Sequence, residues 1–292
     1  MENETKNKIS PFSIFVTGLF VVLSIIYVSK SKPVETGTLW HPAIRRENES
    51  RDMLAISWAD LGSKMVAYGV IDKNKIENLY SERGGLSESD KKIIYGTGED
   101  SIIIIDSQNA GLMLNMLWGF GLANKNAILE NGPMVEAQGK DGTGKFASTG
   151  GWSLSTGNPM DHYSMHSFVT LTKEQQLLVE KVSKGIFRPC CNNSTYFPDC
   201  NHGMAMLGFL EIMASQGASE KDMYKSALQL NKLWFPDQYD VIASYLESRG
   251  QDINNVDPKE IVSEQYFSAQ GYKNIVALVQ PIEQKGGGGC SV

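Results

Sequence analysis

A long hydrophobic stretch without charged residues lies near the N-terminus, where residues 11–28 read PFSIFVTGLFVVLSIIYV. At ~1.5 Å per residue, a helix of this length nearly crosses a ~30 Å hydrocarbon layer, so the stretch predicts a transmembrane anchor. A cleaved signal peptide is the main alternative, although the run exceeds the usual ~7–15 residue apolar region and no A-x-A-like site follows it. A buried core helix is the third interpretation.

The anchor divides the chain unequally. Lysines flank residues 11–28 on both sides, so charge alone does not set the orientation. Because one long domain follows an anchor close to the start, we expect a single-pass membrane protein with that domain on the extracytoplasmic side. The expected organisation is an N-terminal tail at 1–10, the anchor at 11–28, a polar stalk at 29–47, a helical domain at 48–281 and a flexible glycine-rich tail at 282–292.

Apolar positions in the domain recur mainly at helical spacing. Steps of three and four residues predict one amphipathic helix from about residue 53, and they connect Leu54, Trp58, Leu61, Met65 and Tyr68. The run 112–122 predicts a helix buried on most sides, while the β-branched run 102–105 predicts a single buried strand. One strand does not make a sheet, so the expected fold class is mainly α.

Residues 131–160 are rich in Gly, Ser, Thr and Asn and lack a helical period, which indicates a long loop able to cover a site. Helix-start signals follow at Thr172–Gln175, Ser219–Asp222 and Asp257–Pro258. The first two have the spacing of a capping box, and the third places proline at the first helical position. These signals predict about four helices after residue 170.

Composition narrows the class of protein. Hydrophobic residues make up 41% of the chain and charged residues 21%, values that are ordinary for a folded globular domain. The formal net charge is −6, and no basic stripe is visible. Binding to nucleic acid requires such a stripe to neutralise phosphates, so we expect no nucleic-acid partner.

The chemistry of the chain is concentrated in its last third. Cys190, Cys191 and Cys200 lie within RPCCNNSTYFPDCNHGMAM, together with His202, one of four histidines. A helix is expected to begin here with Asp199 or Asn201 as its N-cap, and the positive end of its dipole would lower the pKa of nearby thiols. Three thiolates and an imidazole suit a soft metal ion, so copper(I), zinc and mercury(II) are all admissible, and the expected extracytoplasmic position makes copper the first choice. The preferred function is therefore soft-metal binding or transfer.

Two other functions remain open for the same cysteines. Outside the cytoplasm, Cys190 or Cys191 could pair with Cys200 in a disulfide that staples a helical scaffold or partner-binding protein. Alternatively, the unpaired third thiol could make the protein a thiol-disulfide oxidoreductase, although the usual Cys-X-X-Cys motif is absent. Whether the protein is an enzyme stays open.

A second cluster lies at His162 and His166 in NPMDHYSMHS. On a helix, their four-residue separation would place both rings on one face, as in many metal-binding pairs. Gly157 and Pro159 just upstream argue against a helix, and in that case the two are half-exposed loop histidines. If the loop folds over the cysteines, these histidines would complete that metal site or form another beside it.

The C-terminal GGGGCSV places Cys290 on a flexible tail. Such a tail could bring Cys290 to the cysteine cluster or to a metal donor or acceptor protein. A plain disordered end is the alternative.

The segment 189–227 runs from the cysteine group through Asp199-Cys200-Asn201-His202 into a helix and then QGASEKDMYKSA. The order of these features resembles that in the bacterial cell-envelope lipoproteins that carry a PCYCGC motif. The resemblance implies a cell-envelope location and metal handling. Pro189-Cys190-Cys191 lacks the alternating cysteines of that motif, and the N-terminus lacks a lipobox cysteine, so the ligand set and the anchoring differ.

Overall fold

The fold is built from short and medium helices around one pair of central helices. A computed structural model describes residues 54–98 and 102–279, all of which belong to one compact unit. Within these residues there are thirteen α-helices and one two-stranded sheet. The mainly α prediction is confirmed. The strands are β1 Leu54–Ser57 and β2 Ile102–Ile105, and the helices are α1 Leu61–Ala67, α2 Lys73–Ser81, α3 Glu88–Tyr95, α4 Ala110–Ala123, α5 Ala127–Asn131, α6 Pro133–Gln138, α7 Lys173–Ser183, α8 Asn201–Ser215, α9 Glu220–Trp234, α10 Pro236–Ser248, α11 Pro258–Ile261, α12 Glu264–Phe267 and α13 Ala269–Val276.

The central pair is α4 and α8, which are apolar around most of their circumference and are almost completely buried. Their backbones approach closely at Gly121 and Gly208. A Cβ atom on Gly121 would lie 2.2 Å from the main-chain oxygen of Met204, and one on Gly208 would lie 2.8 Å from that of Leu117. Glycine is therefore required at this crossing, because any side chain would push the two helices apart.

The predicted helix from residue 53 is wrong in its first part. Residues Leu54–Ser57 form β1, which pairs antiparallel with β2 so that Leu54 lies opposite Ile105. Leu54 and Ile56 are buried while Ala55 is exposed, an alternation of period two that the helical spacing concealed. After a turn with φ of 49° at Ala59, helix α1 begins at Leu61. The predicted buried helix at 112–122 is confirmed. A strand forms at 102–105 as predicted, but it is not a buried strand, because Ile102 and Ile104 are exposed and only Ile105 is buried.

The helix-start signals are confirmed at the predicted residues. Thr172 and Gln175 form a complete capping box at the start of α7. The Ser219 hydroxyl accepts from the Asp222 backbone N–H at the start of α9, and Asp257 caps α11 with Pro258 at its first position. Each side chain satisfies a backbone N–H that has no partner within the helix.

The stretch 131–160 is only partly a loop. It contains α6 and a 3₁₀ helix at Lys140–Lys145, and its remaining turns are packed into the core. Trp152 is buried and its indole N–H donates to the carbonyl of Val70 over 2.8 Å, while the Trp118 indole N–H donates to Ser148 over 2.7 Å. Two buried tryptophans therefore hold the segment against the helices.

A smaller apolar cluster supports the C-terminal helices α10 to α13. Phe235, Phe267 and Ile242 are among its buried members, and Cys190 packs against it. The backbone N–H of Phe187 donates to Val262, and that of Ala269 donates to Cys191. These two hydrogen bonds hold the chain around Cys190 against Val262 and Ala269.

Within residues 54–98 and 102–279, none of the helices has the length and the apolar character needed to cross a membrane. The predicted tail at 1–10, anchor at 11–28 and stalk at 29–47 lie outside the described residues, as do the tail at 282–292 and Cys290.

Candidate metal centre

Three of the four cysteines meet at the N-terminal end of α8. The Sγ atom of Cys200 lies 3.7 Å from that of Cys190 and 3.9 Å from that of Cys191. All three sulfurs lie within 4.8 Å of one another, and each of the three residues is partly exposed. None of the three is in a disulfide. The three cysteines that the sequence grouped together therefore form one cluster that could hold a metal ion.

Cys200 itself caps helix α8, where the sequence predicted Asp199 or Asn201. Its backbone is extended, with φ of −121° and ψ of 165°, and its sulfur accepts from the backbone N–H of Gly203 over 3.4 Å. The prediction of the capping residue was wrong by one position. The consequence is that the sulfur lies directly at the positive end of the helix dipole, which favours a thiolate.

The Arg188 side chain organises this region, and it is completely buried. Its Nε donates to the Cys200 sulfur over 3.1 Å, its Nη1 donates to the carbonyl of Asn193 over 2.8 Å, and its Nη2 contacts the carboxylate of Asp199 at 3.0 Å. Gly203 leaves room for the guanidinium, because a Cβ there would lie 2.3 Å from Nη2. A planar fork of donors thus fixes the turn between residues 188 and 200.

The thiols of Cys191 and Cys200 differ in their ease of ionisation. Contacts from the Cys190 and Cys191 thiols, and then from Arg188, lower the pKa of Cys200 far below its usual range, although burial opposes this effect. Contact with Cys190 lowers the pKa of Cys191, but the Cys200 sulfur and burial outweigh it and raise that pKa to about 11. Burial would lower the pKa of Arg188, yet the sulfurs raise it, so the guanidinium stays charged. Cys200 is therefore the thiolate of the cluster.

His202 lies beside the cysteines but is not in contact with all of them. Its Nδ1 is 4.0 Å from the Cys190 sulfur, and it is not a member of the group whose ligand atoms all lie within 4.8 Å. Its ring packs against Phe235 with centroids 4.5 Å apart and against Trp234 at 5.6 Å. A small shift of this ring would be needed before His202 could join three sulfurs around one ion.

The spacing of the sulfurs fits the chemistry of a metal site. Sulfurs bound to a tetrahedral zinc ion at ~2.3 Å lie about 3.8 Å apart, and in a planar three-coordinate site they lie about 4.0 Å apart. The two separations of 3.7 and 3.9 Å fall at these values, and the third pair of sulfurs lies within 4.8 Å. The donor set is entirely soft, which favours copper(I) and zinc over calcium or magnesium.

His162 and His166 do come together, but not on a helix. His162 follows the short 3₁₀ helix Pro159–Asp161, and His166 forms an isolated bridge with Asn124 at the end of α4. The His162 Nδ1 lies 3.1 Å from the His166 Nε2. Burial, and then the neighbouring His162, lower the pKa of His166, so its imidazole is neutral near pH 7. Of the two arrangements considered from the sequence, the pair on one helical face is not the one observed, and the three-cysteine group includes neither histidine.

Two buried charged residues were not predicted from the sequence. Arg188 could have been found from the sequence, because it precedes Pro189 and the cysteine pair and a basic residue beside thiols can stabilise a thiolate. Glu211 stands within the apolar run GMAMLGFLEIMAS and is fully buried in α8. Its Oε2 accepts from the Asn124 amide over 2.5 Å, whereas its Oε1 has no hydrogen-bond partner among the described residues. Burial raises the pKa of Glu211 to about 8, although the Asn124 contact opposes the rise.

Comparisons of the chain with protein-family models, curated proteins and solved structures gave no match. Function is therefore inferred from the chemistry of the described residues.

Proposed function

We propose that this protein binds a soft metal ion through the thiolates of Cys190, Cys191 and Cys200, with His202 beside them as a fourth donor. The observation that carries the proposal is the pair of sulfur separations, 3.7 and 3.9 Å, which match the edges of a thiolate-metal polyhedron. Thiols that the folded chain already holds at this spacing lose little conformational entropy when an ion binds.

The charges around the site favour a divalent ion. The buried Arg188 forms an ion pair with the partly exposed Asp199, and the Cys200 thiolate adds one negative charge. A divalent ion that displaces two thiol protons leaves this net charge unchanged. A monovalent ion that displaces the same protons would leave a partly buried group one unit more negative, which costs free energy in a medium of low dielectric constant. Zinc is therefore the better electrostatic match, and copper(I) is the alternative.

Partial exposure of the sulfurs supports a role in passing the ion on. Structural zinc sites are closed by four protein ligands, whereas this site keeps one position accessible for as long as the His202 ring stays outside the group of three sulfurs. An acceptor thiol could enter at that position, and Cys290 on its glycine-rich tail is one such thiol of this chain. In this proposal residues 11–28 hold the domain at the membrane, on the extracytoplasmic side, where a donor or acceptor protein would meet it. Membrane fractionation of the full chain, with and without residues 11–28, tests the location.

The metal proposal is tested on the full chain purified without chelator under anaerobic conditions. Elemental mass spectrometry counts the bound ions, and a thiol reagent counts free cysteines in the same sample. We expect the wild type to hold one ion at the thiols, so Cys190→Ser/Cys191→Ser/Cys200→Ser should hold one ion per chain fewer than the wild type. The matched control, Cys290→Ser, should retain the ion.

A protein that stays metal-free after reduction and challenge with zinc or copper(I) would refute the metal proposal. The thiol count then decides between the other functions. Two missing thiols that never return on mild reduction indicate the disulfide-stapled scaffold, while thiols that cycle reversibly indicate redox chemistry.

A second candidate, thiol-disulfide exchange, is favoured by the Arg188 contact with Cys200. The Cys200 thiolate would attack one sulfur of a disulfide substrate, forming a mixed disulfide and releasing one substrate thiolate. Cys190, whose sulfur lies 3.7 Å away, would then attack Cys200, release the second substrate thiol and leave a Cys190–Cys200 disulfide. A reversible reduction potential that is abolished by Cys200→Ser and kept by Cys290→Ser would support this candidate, and a chain inert toward disulfides would remove it.

A further inference from the structure

The two histidines His162 and His166 present converging ring nitrogens at the end of helix α4. His162 is buried, and His166 is partly exposed. The turn between them is fixed to α4, since the backbone N–H of Ser164 donates to Leu122 and that of His166 donates to Ala123. Ser164 has a φ of 54°, a left-handed conformation that a non-glycine residue adopts only when its surroundings hold it there. The ring positions are therefore set by the fold.

The hydrogen bonds define which nitrogen of His162 carries the proton. The His162 Nε2 lies 3.3 Å from the main-chain oxygen of Thr156, and a carbonyl oxygen can only accept. In the neutral ring Nε2 must therefore carry the proton, which leaves a lone pair on Nδ1, the nitrogen that lies 3.1 Å from the His166 Nε2. A ring nitrogen fixed in this way by a carbonyl contact from the other nitrogen is the usual arrangement of a metal-binding histidine.

The separation of the two nitrogens suits one metal ion. With metal–nitrogen bonds of ~2.05 Å, two ligand nitrogens lie about 2.9 Å apart at a right angle and about 3.3 Å apart at the tetrahedral angle. The observed 3.1 Å lies between these values. To bind an ion, the His166 proton only needs to move from Nε2 to Nδ1, so both rings stay neutral.

The surroundings leave room for ligands from outside the chain. The His166 ring stacks on Phe168 at 5.1 Å and meets the edge of Tyr68 at 5.3 Å, and these contacts hold its plane. Tyr68 and Met165 beside the histidines are exposed to solvent, by 61% and 64% respectively. Among the described residues the pair is not part of the cysteine group, so an ion held here would be separate from one held by the thiols.

We propose that His162 and His166 form a second, independent metal site, which binds a borderline divalent ion such as Cu²⁺ or Zn²⁺ and takes water or a small external ligand at its open positions. Imidazole donors suit these ions, and copper(II) binds such donors most tightly among the common divalent metals. The histidine site shares no residue with the thiol cluster, so the two metal proposals can be tested independently.

The test uses the full chain with all four cysteines changed to serine, because thiols would reduce copper(II). Electron paramagnetic resonance of this cysteine-free chain with one equivalent of Cu²⁺ should show hyperfine coupling to two imidazole nitrogens. The variant His162→Gln/His166→Gln should lose this signal, and its affinity for Cu²⁺ should fall at least about tenfold. The matched control His41→Gln changes a histidine that belongs to neither proposed site and should keep both signal and affinity. An unchanged affinity in the first variant, or loss in the control alone, would overturn the proposal.

A second measurement is used if far-UV circular dichroism shows that the cysteine-free chain does not fold. The otherwise wild-type chain is then saturated with Zn²⁺ and its bound zinc is counted. We expect His162→Gln/His166→Gln to hold one zinc fewer than His41→Gln, and equal counts would refute the second site. The thiol proposal alone would be refuted if changing the three cysteines left the zinc count unchanged while changing these two histidines lowered it by one.

Discussion

The buried acid Glu211 predicts an unusual dependence of stability on pH. Its pKa rises from an ordinary 4.5 to about 8 in the folded chain, because burial opposes ionisation. Between these values the folded state holds a proton that the unfolded state has released, so the free energy of unfolding falls as pH rises. Across this window the free energy of unfolding falls by about 1.4 kcal/mol per pH unit. The stability that depends on the Glu211 proton is therefore fully present below pH 4.5 and is lost as the pH rises to about 8.

Glu211→Gln removes the titrating group while keeping its volume and an acceptor for Asn124. Relative to the wild type, the variant should gain about 1 kcal/mol at pH 5, about 3 kcal/mol at pH 7 and about 4 kcal/mol at pH 8. Urea unfolding followed by far-UV circular dichroism at these three pH values measures the difference.

The control for this prediction is Glu247→Gln, a change at an exposed position of α10, which should alter stability by less than about 0.5 kcal/mol at every pH. A difference between Glu211→Gln and the wild type that stays constant from pH 5 to pH 8 would show that Glu211 does not hold a proton in the folded chain.

Three further predictions concern packing, capping and the thiolate. Gly121→Ala should destabilise the chain by about 2 kcal/mol or more, because its Cβ would collide with the backbone of α8. Its control, Gly111→Ala on the open side of α4, should stabilise the chain by up to about 1 kcal/mol. Urea unfolding of both variants measures the two effects. Thr172→Ala should cost about 1 kcal/mol through loss of the capping box, and Thr172→Ser should cost less in the same assay. Arg188→Lys keeps the charge but loses the planar fork, so the alkylation profile of Cys200, followed site by site by mass spectrometry, should move to higher pH; an unshifted profile would contradict the assigned role of the guanidinium.

The local signals in the sequence were sufficient for much of the helical structure. Thr172, Ser219 and Asp257 start helices as predicted, because capping depends on residues that are neighbours along the chain. The helix expected from residue 53 is wrong in its first part because β1 gains its partner from the Ile102–Ile105 segment, far away in sequence. Tertiary pairing of this kind overrides a short helical period.

The candidate site was predictable only as a set of residue types. Cysteines close in sequence suggested a cluster, and the structure brings three of them together. The position of Arg188 could not be deduced, since its contacts depend on the path of the turn from 188 to 200. Glu211 was hidden for a different reason. A single acid in an otherwise apolar helix indicates burial, but only the fold supplies Asn124 as its partner.

Helix α8 also limits how the length of this chain can change during evolution. It carries Cys200 at its first turn, the close glycine contact in its middle and Glu211 near its end. Inserting or deleting one residue between Cys200 and Glu211 would rotate one of them by about 100° relative to the other. Either the thiol would leave its cluster or the acid would leave Asn124. Homologues are therefore expected to vary in length within their loops, while this helix keeps a constant number of residues between the two positions.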